Sequence, residues 1–184
     1  MWLPLVPSAD RMRALMGYRL ALLASFAVLV AVPLGACGKE IGDPCNLASD
    51  CSPNGDRICD PEPSSPGGYC TVLGCDVSTC PDEAVCVRFF TGNFTNKPCT
   101  ASAMVTGCSL DELCAVSGHC VPRSSEIRYC MLRCESDGDC RDGYECRTFS
   151  LMQAHGGEPL LPNDQIVTEG NATKFCAVKP SAAG

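Results

Sequence analysis

Cysteine constrains this chain more than any other feature: 17 of its 184 residues. Aromatics are 6% of the residues, and the single tryptophan is Trp2. Such a chain is held by cross-links or metal rather than by one broad apolar core. Seventeen is odd, and an odd cysteine in an exported protein requires an explanation. Setting Cys37 aside leaves sixteen, enough for eight bridges.

Those sixteen fall into four sets of four. The sets are Cys45, Cys51, Cys59 and Cys70; Cys75, Cys80, Cys86 and Cys99; Cys108, Cys114, Cys120 and Cys130; and Cys134, Cys140, Cys146 and Cys176. Four or five residues separate the first pair in each set, and five to seven the second. The third gap varies: 10, 12, 9 and 29 residues. The last cysteines sit in GYCT, KPCT, RYCM and KFCA, so three of the four follow an aromatic. Acidic residues recur before the second cysteine (Asp50, Asp111 with Glu112, Asp137 with Asp139) and glycines after it (Gly55, Gly118, Gly143). This pattern reads as a duplicated unit of roughly 25 to 45 residues. A unit that short needs staples, because it buries too little apolar surface alone.

Each set allows three pairings. First-to-third with second-to-fourth is the expected one, since neighbouring first and second cysteines hold a distant fourth only if pairing alternates. Zinc is the competing use of cysteine, but no C-x-x-C occurs and His119 and His155 are the only histidines. The expected set therefore includes no metal and no cofactor.

The N-terminus reads as an address. An uncharged apolar run spans Leu20 to Leu34, behind Arg11, Arg13 and Arg19. It is shorter than the roughly 20 residues of a membrane span and fits a secretory signal, helical while it acts. Leu34-Gly35-Ala36-Cys37 resembles the lipobox of bacterial lipoproteins. That resemblance implies cleavage before Cys37 and a diacylglycerol on its thiol. Met12 or Met16 then serves as the expected true start. Gly38 stands where those lipoproteins carry an Asp for inner-membrane retention, which favours the outer membrane or cell surface. Removing residues 1–36 leaves 11 basic and 20 acidic residues, net −9. Such a surface repels anionic headgroups and nucleic acid, so the lipid would carry the membrane attachment.

The expected organisation is a signal peptide at 1–36 and an anchored linker at 37–44. Cys-rich modules follow at 45–74, 75–107, 108–133 and 134–176, the last with a long loop at 147–175, and a flexible tail at 177–184. The expected fold class is small and disulfide-rich, with short hairpins, single helical turns and little regular structure. Ser109-Leu110-Asp111-Glu112 matches a capping box and suggests a helical turn. Cys86 to Phe90, a Thr91-Gly92-Asn93 turn and Phe94 suggest a hairpin. Ile127 and Tyr129 alternate with polar residues like a strand, and Asp60 to Gly68 is turn chemistry.

Phe89, Phe90 and Phe94 are the candidate binding residues; their alternative is to cover a disulfide in a small core. Loop 147–175 is either a binding loop on a rigid scaffold or a disposable insertion. The acidic stretch Glu135 to Gly143 fails the calcium-loop template, because cysteines stand at its Gly and bidentate Glu positions. The sequons at Asn93 and Asn171 read as chance. No nucleophile elbow, zinc-protease, P-loop or dinucleotide motif occurs, so no catalytic residue is expected.

The C-x5-C-x5-C spacing, clearest in D-G-D-C-R-D-G-Y-E-C, resembles the Cys-rich repeat lipoproteins of myxobacteria and related predators. It is more distantly similar to Dickkopf-type and whey-acidic-type disulfide modules. The likeness covers about residues 34–176 and carries over no functional residue beyond Cys37. Cys37 with sixteen paired-looking cysteines leads to the expectation of an anchored binding or envelope protein, with a membrane, protein or glycan partner, and the absent motifs to the expectation that it is not an enzyme. The alternative is a protease inhibitor or ligand-like effector, with Arg88, Lys97 and Arg123 as candidate contact residues.

Overall fold

The computed structural model describes residues 38–62, 64–92, 96–100 and 107–180. The lipobox residues Leu34, Gly35, Ala36 and Cys37 lie outside the described residues, as do Asn93 and Phe94. The fold is small and disulfide-rich, with eight bridges, short antiparallel strands and two short α-helices.

The bridges correct the grouping of the cysteines. Cys45–Cys59 and Cys51–Cys70 follow the expected alternation, as do Cys134–Cys146 and Cys140–Cys176. Cys75–Cys86 and Cys108–Cys120 also form. The remaining two do not follow the sets: Cys80 bonds Cys130, and Cys99 bonds Cys114. One module is therefore Cys75, Cys80, Cys86 and Cys130. Inside it lies another: Cys99, Cys108, Cys114 and Cys120. With that regrouping, every module pairs first to third and second to fourth. The boundary expected at 107/108 does not separate modules, because the third is nested in the second.

The strands explain the nesting. In each module the third and fourth cysteines stand opposite each other on an antiparallel ladder. Cys59 faces Cys70 across β1 (Ile58–Asp60) and β2 (Tyr69–Thr71). Cys86 faces Cys130 across β3 (Ala84–Phe90) and β6 (Glu126–Leu132). Cys114 faces Cys120 across β4 (Glu112–Cys114) and β5 (Cys120–Pro122). Cys146 faces Cys176 across β7 (Tyr144–Arg147) and β9 (Phe175–Val178). Each facing pair reaches back to the two cysteines of the preceding loop. The chain between third and fourth cysteine is thus free to vary in length, and loop-closure entropy grows only slowly with it. Inside the β3–β6 hairpin it holds a whole module. β3 accordingly pairs with distant β6; the Phe94 arm of the hairpin expected from the sequence lies outside the described residues.

In the first, the β3 and the last modules a polar clasp closes the loop between first and second cysteine. The Asp50 carboxylate accepts the N–H groups of Asn46 and Leu47, at 2.9 and 3.0 Å. Asp139 does the same for Glu135 and Ser136, both at 2.8 Å. In the β3 module the Thr79 hydroxyl accepts from the Asp76 N–H at 2.7 Å. These bonds hold Asp50 and Asp139 below the ordinary carboxylate range. The first loop carries α1 (Ala48–Cys51), and the last module a single 3-10 turn at Asp137–Asp139. At Ser109 the expected helical turn is replaced by a tight turn into β4; the Glu112 carboxylate accepts the Ser109 N–H at 2.9 Å.

Residues 147–175 are neither a bare loop nor a disposable insertion. After β7 the chain forms α2 (Phe149–His155), capped by Thr148, and then β8 (Glu158–Pro159). β8 pairs with β3, so the central sheet runs β6-β3-β8. Met152, Val167 and Pro159 are buried beneath this excursion. The expected tail also begins later, because Ala177 and Val178 belong to β9 and the Lys179 N–H donates to the Gly143 carbonyl.

The largest apolar cluster among the described residues is a seam around β3: Val85, Val87, Met131, Tyr144 and Phe175 with Ile41 and Tyr69. Tyr69 and Tyr144 stack with centroids 5.4 Å apart, and the Arg141 guanidinium lies 4.3 Å from the Tyr144 ring centre. Arg141 also donates to the Gly68 carbonyl, joining the first and last modules. Gly68 has no room for a side chain, since a methyl group there would meet the Cys45 carbonyl oxygen at 1.9 Å. From Gly38 onward the expected linker is part of this body. Ile41 is buried in the seam, and the Gly42 N–H donates to the Cys70 carbonyl at 2.9 Å. Gly38–Gly184 is one compact unit.

Candidate functional site

Strand β3 outruns its neighbour β8. The β3–β8 ladder ends at Arg88↔Glu158, while β3 continues to Phe90. Gly156 and Gly157, at φ +79° and +78°, turn the chain away from β3 there. A methyl group at Gly157 would meet the Phe89 ring at 2.7 Å, so the turn and the ring fit only with glycine. The divergence opens a cleft of about 590 Å³. Its floor is Phe89 and Phe90, one wall is the β4–β5 turn with Val116, Ser117 and His119, and the other is His155 to Glu158. Both histidines of the chain line it.

Phe89 and Phe90 are half-buried, so neither expectation for them holds in pure form. Phe89 packs edge-on against Tyr129 and Phe175 and still lines the cleft. Phe90 lies under the Arg88 guanidinium, 5.9 Å from the ring centre. Both rings face the nested module's β4–β5 turn across the cleft. Sequence reasoning named these rings but missed His119, His155 and the glycine pair as their companions. The spacing of these residues carries no motif, because β8 and the nested hairpin bring them together only in three dimensions.

A buried charge network fixes the His155 wall. The imidazole Nδ1 lies 2.7 Å from Glu145 Oε1, which also accepts from Arg147 Nε at 3.2 Å. Arg147 donates further to the carbonyls of His155, Gly156 and Val178, at 3.1, 2.7 and 2.9 Å. Burial pulls the Arg147 guanidinium below its ordinary range, and the Glu145 carboxylate opposes that pull. Below the cleft, Glu158 is 3% exposed, pairs with Arg88 at 2.5 Å and accepts the Val116 N–H at 2.7 Å. The network joins three separate chain segments and sets the cleft's shape.

These groups are hydrogen-bonded to one another and to the backbone. Among the described residues, no serine or threonine hydroxyl is hydrogen-bonded to either imidazole. Sulfurs cluster in threes, as at Cys45, Cys51 and Cys59, but each is in a bridge and offers no thiolate to a metal. Asp137 and Asp139 of the acidic stretch accept backbone N–H groups. Two of the basic residues suggested for a protease pocket are committed elsewhere. Arg88 is in β3 and pairs with Glu158, and Lys97 pairs with Glu112 at 3.3 Å. Arg123 is exposed.

The chain matches no protein-family model, no curated protein and no solved structure. Its fold is that of a small disulfide-stapled protein fitted for a structural or binding role.

Proposed function

We propose that this chain is an exported lipoprotein, cut before Cys37 and anchored through that residue. Its disulfide body acts by binding or as an envelope component, not as an enzyme. The observation that carries the reading is cysteine parity. Every cysteine from Cys45 to Cys176 is bridged, and the one left over ends the Leu34-Gly35-Ala36-Cys37 box. The body's net charge of −9 supports attachment by lipid rather than by a basic face. The outer membrane or cell surface is the favoured location, and the Phe89–His155 cleft is the favoured contact for a protein or glycan partner.

Growth with an alkyne-tagged fatty acid tests the anchor. The expected result is label on the wild-type protein in the membrane fraction and none on Cys37→Ser. Unlabelled wild-type protein in the soluble fraction would remove the anchor and favour a secreted effector. In that case inhibition of a serine-protease panel, and its loss in Arg123→Ala, becomes the next measurement.

A further inference from the structure

The cleft beside Phe89 presents hydrogen-bond acceptors and no free charge. Nδ1 of His119 lies 3.1 Å from the Ser117 carbonyl oxygen, and Nδ1 of His155 lies 2.7 Å from the Glu145 carboxylate. A carbonyl and an ionised carboxylate only accept, so each Nδ1 carries a proton. In the neutral ring Nε2 is then a bare acceptor, its state set by the bond the other nitrogen makes. Neither Nε2 has a hydrogen-bond partner among the described residues. The only two histidines of the chain thus line one cleft in the same tautomer.

The rest of the described lining narrows what such acceptors can meet. Glu158 is its one carboxylate, and Arg88 and the Val116 N–H already occupy it. No lysine or arginine belongs to the described lining. A cation therefore finds no free carboxylate, and an anion meets lone pairs instead of donors. A wholly apolar ligand would leave both Nε2 atoms, Ser117 and Asn96 unpaired. An added peptide strand finds little edge, because β3 passes its β8 ladder only from Arg88 to Phe90, about 7 Å.

What fits is neutral, rich in hydroxyl donors and apolar on one side. Resting on the reading of this cleft as a contact surface, we propose that it binds a neutral hexopyranose unit of a saccharide. Sugar hydroxyls donate to Nε2 of His119 and His155, and Ser117 and Asn96 complete the polar edge. The C–H side of the ring lies on Phe89 and Phe90, since polarised C–H groups are drawn to the negative face of an aromatic ring. The cleft volume of about 590 Å³ falls within the range of small-ligand sites, roughly 300–1,000 Å³. Glu145 and Arg147 act as positioning residues: one holds the His155 ring, the other the carbonyls of His155 and Gly156.

The test uses the oxidised protein in a detergent without a sugar headgroup, so it reads alike whether or not Cys37 is lipidated. Saturation-transfer NMR at about pH 8, above the ordinary imidazole range, compares maltohexaose, cellohexaose and mannohexaose with anionic oligogalacturonate. The expected result is transfer to the ring C–H protons of at least one neutral saccharide and none to oligogalacturonate. His119→Leu, which keeps bulk but no acceptor, should weaken that binding about fivefold, while His119→Gln, which keeps an acceptor, should retain most of it. His119 is exposed, and full oxidation of the sixteen bridged cysteines checks the fold. Binding of oligogalacturonate alone, neutral binding that His119→Leu leaves intact, or no binding would overturn the saccharide site. A photo-cross-linker at Ser117 in cells separates this from the broader reading. Capture of a protein with no saccharide bound would overturn the saccharide and keep the cleft as a contact surface; neither capture nor binding would remove both.

Discussion

Excising the nested module tests the nesting itself. Phe90 stands opposite Glu126, and beyond them the Thr91 N–H donates to the Ser125 carbonyl at 3.0 Å. Replacing residues 92–124 by Asn-Gly therefore closes β3 and β6 with a two-residue turn whose twist matches the strands. The excision removes Cys99, Cys108, Cys114 and Cys120, which bond only among themselves. Shortening the connection favours folding by about 2 kcal/mol on loop-closure entropy. Losing the Val116 N–H from Glu158 costs about 1–2 kcal/mol, since that carboxylate keeps Arg88. The two contributions nearly cancel, so stability should stay within about 2 kcal/mol and Tm within about 8 °C. The assay is thermal unfolding by near-UV circular dichroism with a disulfide map. The expected result is a cooperative transition and an intact Cys80–Cys130 bridge. A non-cooperative or aggregated product would refute the nesting, as would a loss of stability well beyond this estimate.

Four further outcomes follow from particular contacts. Cys99→Ser with Cys114→Ser should leave no free thiol beyond Cys37, whereas Cys80→Ser with Cys99→Ser should leave two, by thiol titration under denaturant. Gly157→Ala should cost about 1–3 kcal/mol in chemical denaturation, since it combines a left-handed backbone with a 2.7 Å approach to Phe89. Arg147→Met should cost about 3–5 kcal/mol, because Glu145 and three backbone carbonyls lose a buried partner. Asp139 has a folded pKa below its unfolded value, so its clasp stabilises at pH above about 4 and fades as pH falls through the folded pKa. Wild type and Asp139→Asn should therefore differ at neutral pH and converge in acid, read by denaturant titrations across pH.

Much of the staple pattern was legible because disulfide modules write themselves into spacing. Parity singled out Cys37, and alternation gave the pairing rule. The grouping was not legible from gaps, because Cys99 lies as far from Cys86 as a fourth cysteine would. One signal did distinguish it. Tyr69, Tyr129 and Phe175 precede the true fourth cysteines Cys70, Cys130 and Cys176, while Pro98 precedes Cys99. The exception in the aromatic pattern was thus the first cysteine of a nested module, whose own fourth, Cys120, follows His119. The cleft was legible only in part. Phe89 and Phe90 stand out in a chain with few aromatics. His155 and Gly157 reach them only through β8, a two-residue strand inside a segment that reads as loop. Pairing over 70 residues, as between Arg88 and Glu158, leaves no local periodicity.

The most direct measurement is the intact mass of the natively expressed protein, extracted from membranes in detergent, with alkylation before and after reduction. The account predicts a chain beginning at Cys37 that carries added acyl mass, takes up no alkylating agent while oxidised, and gains sixteen adducts on reduction. An unmodified Cys37 would contradict the anchor, and thiols alkylated before reduction at any position from Cys45 to Cys176 would contradict the disulfide array.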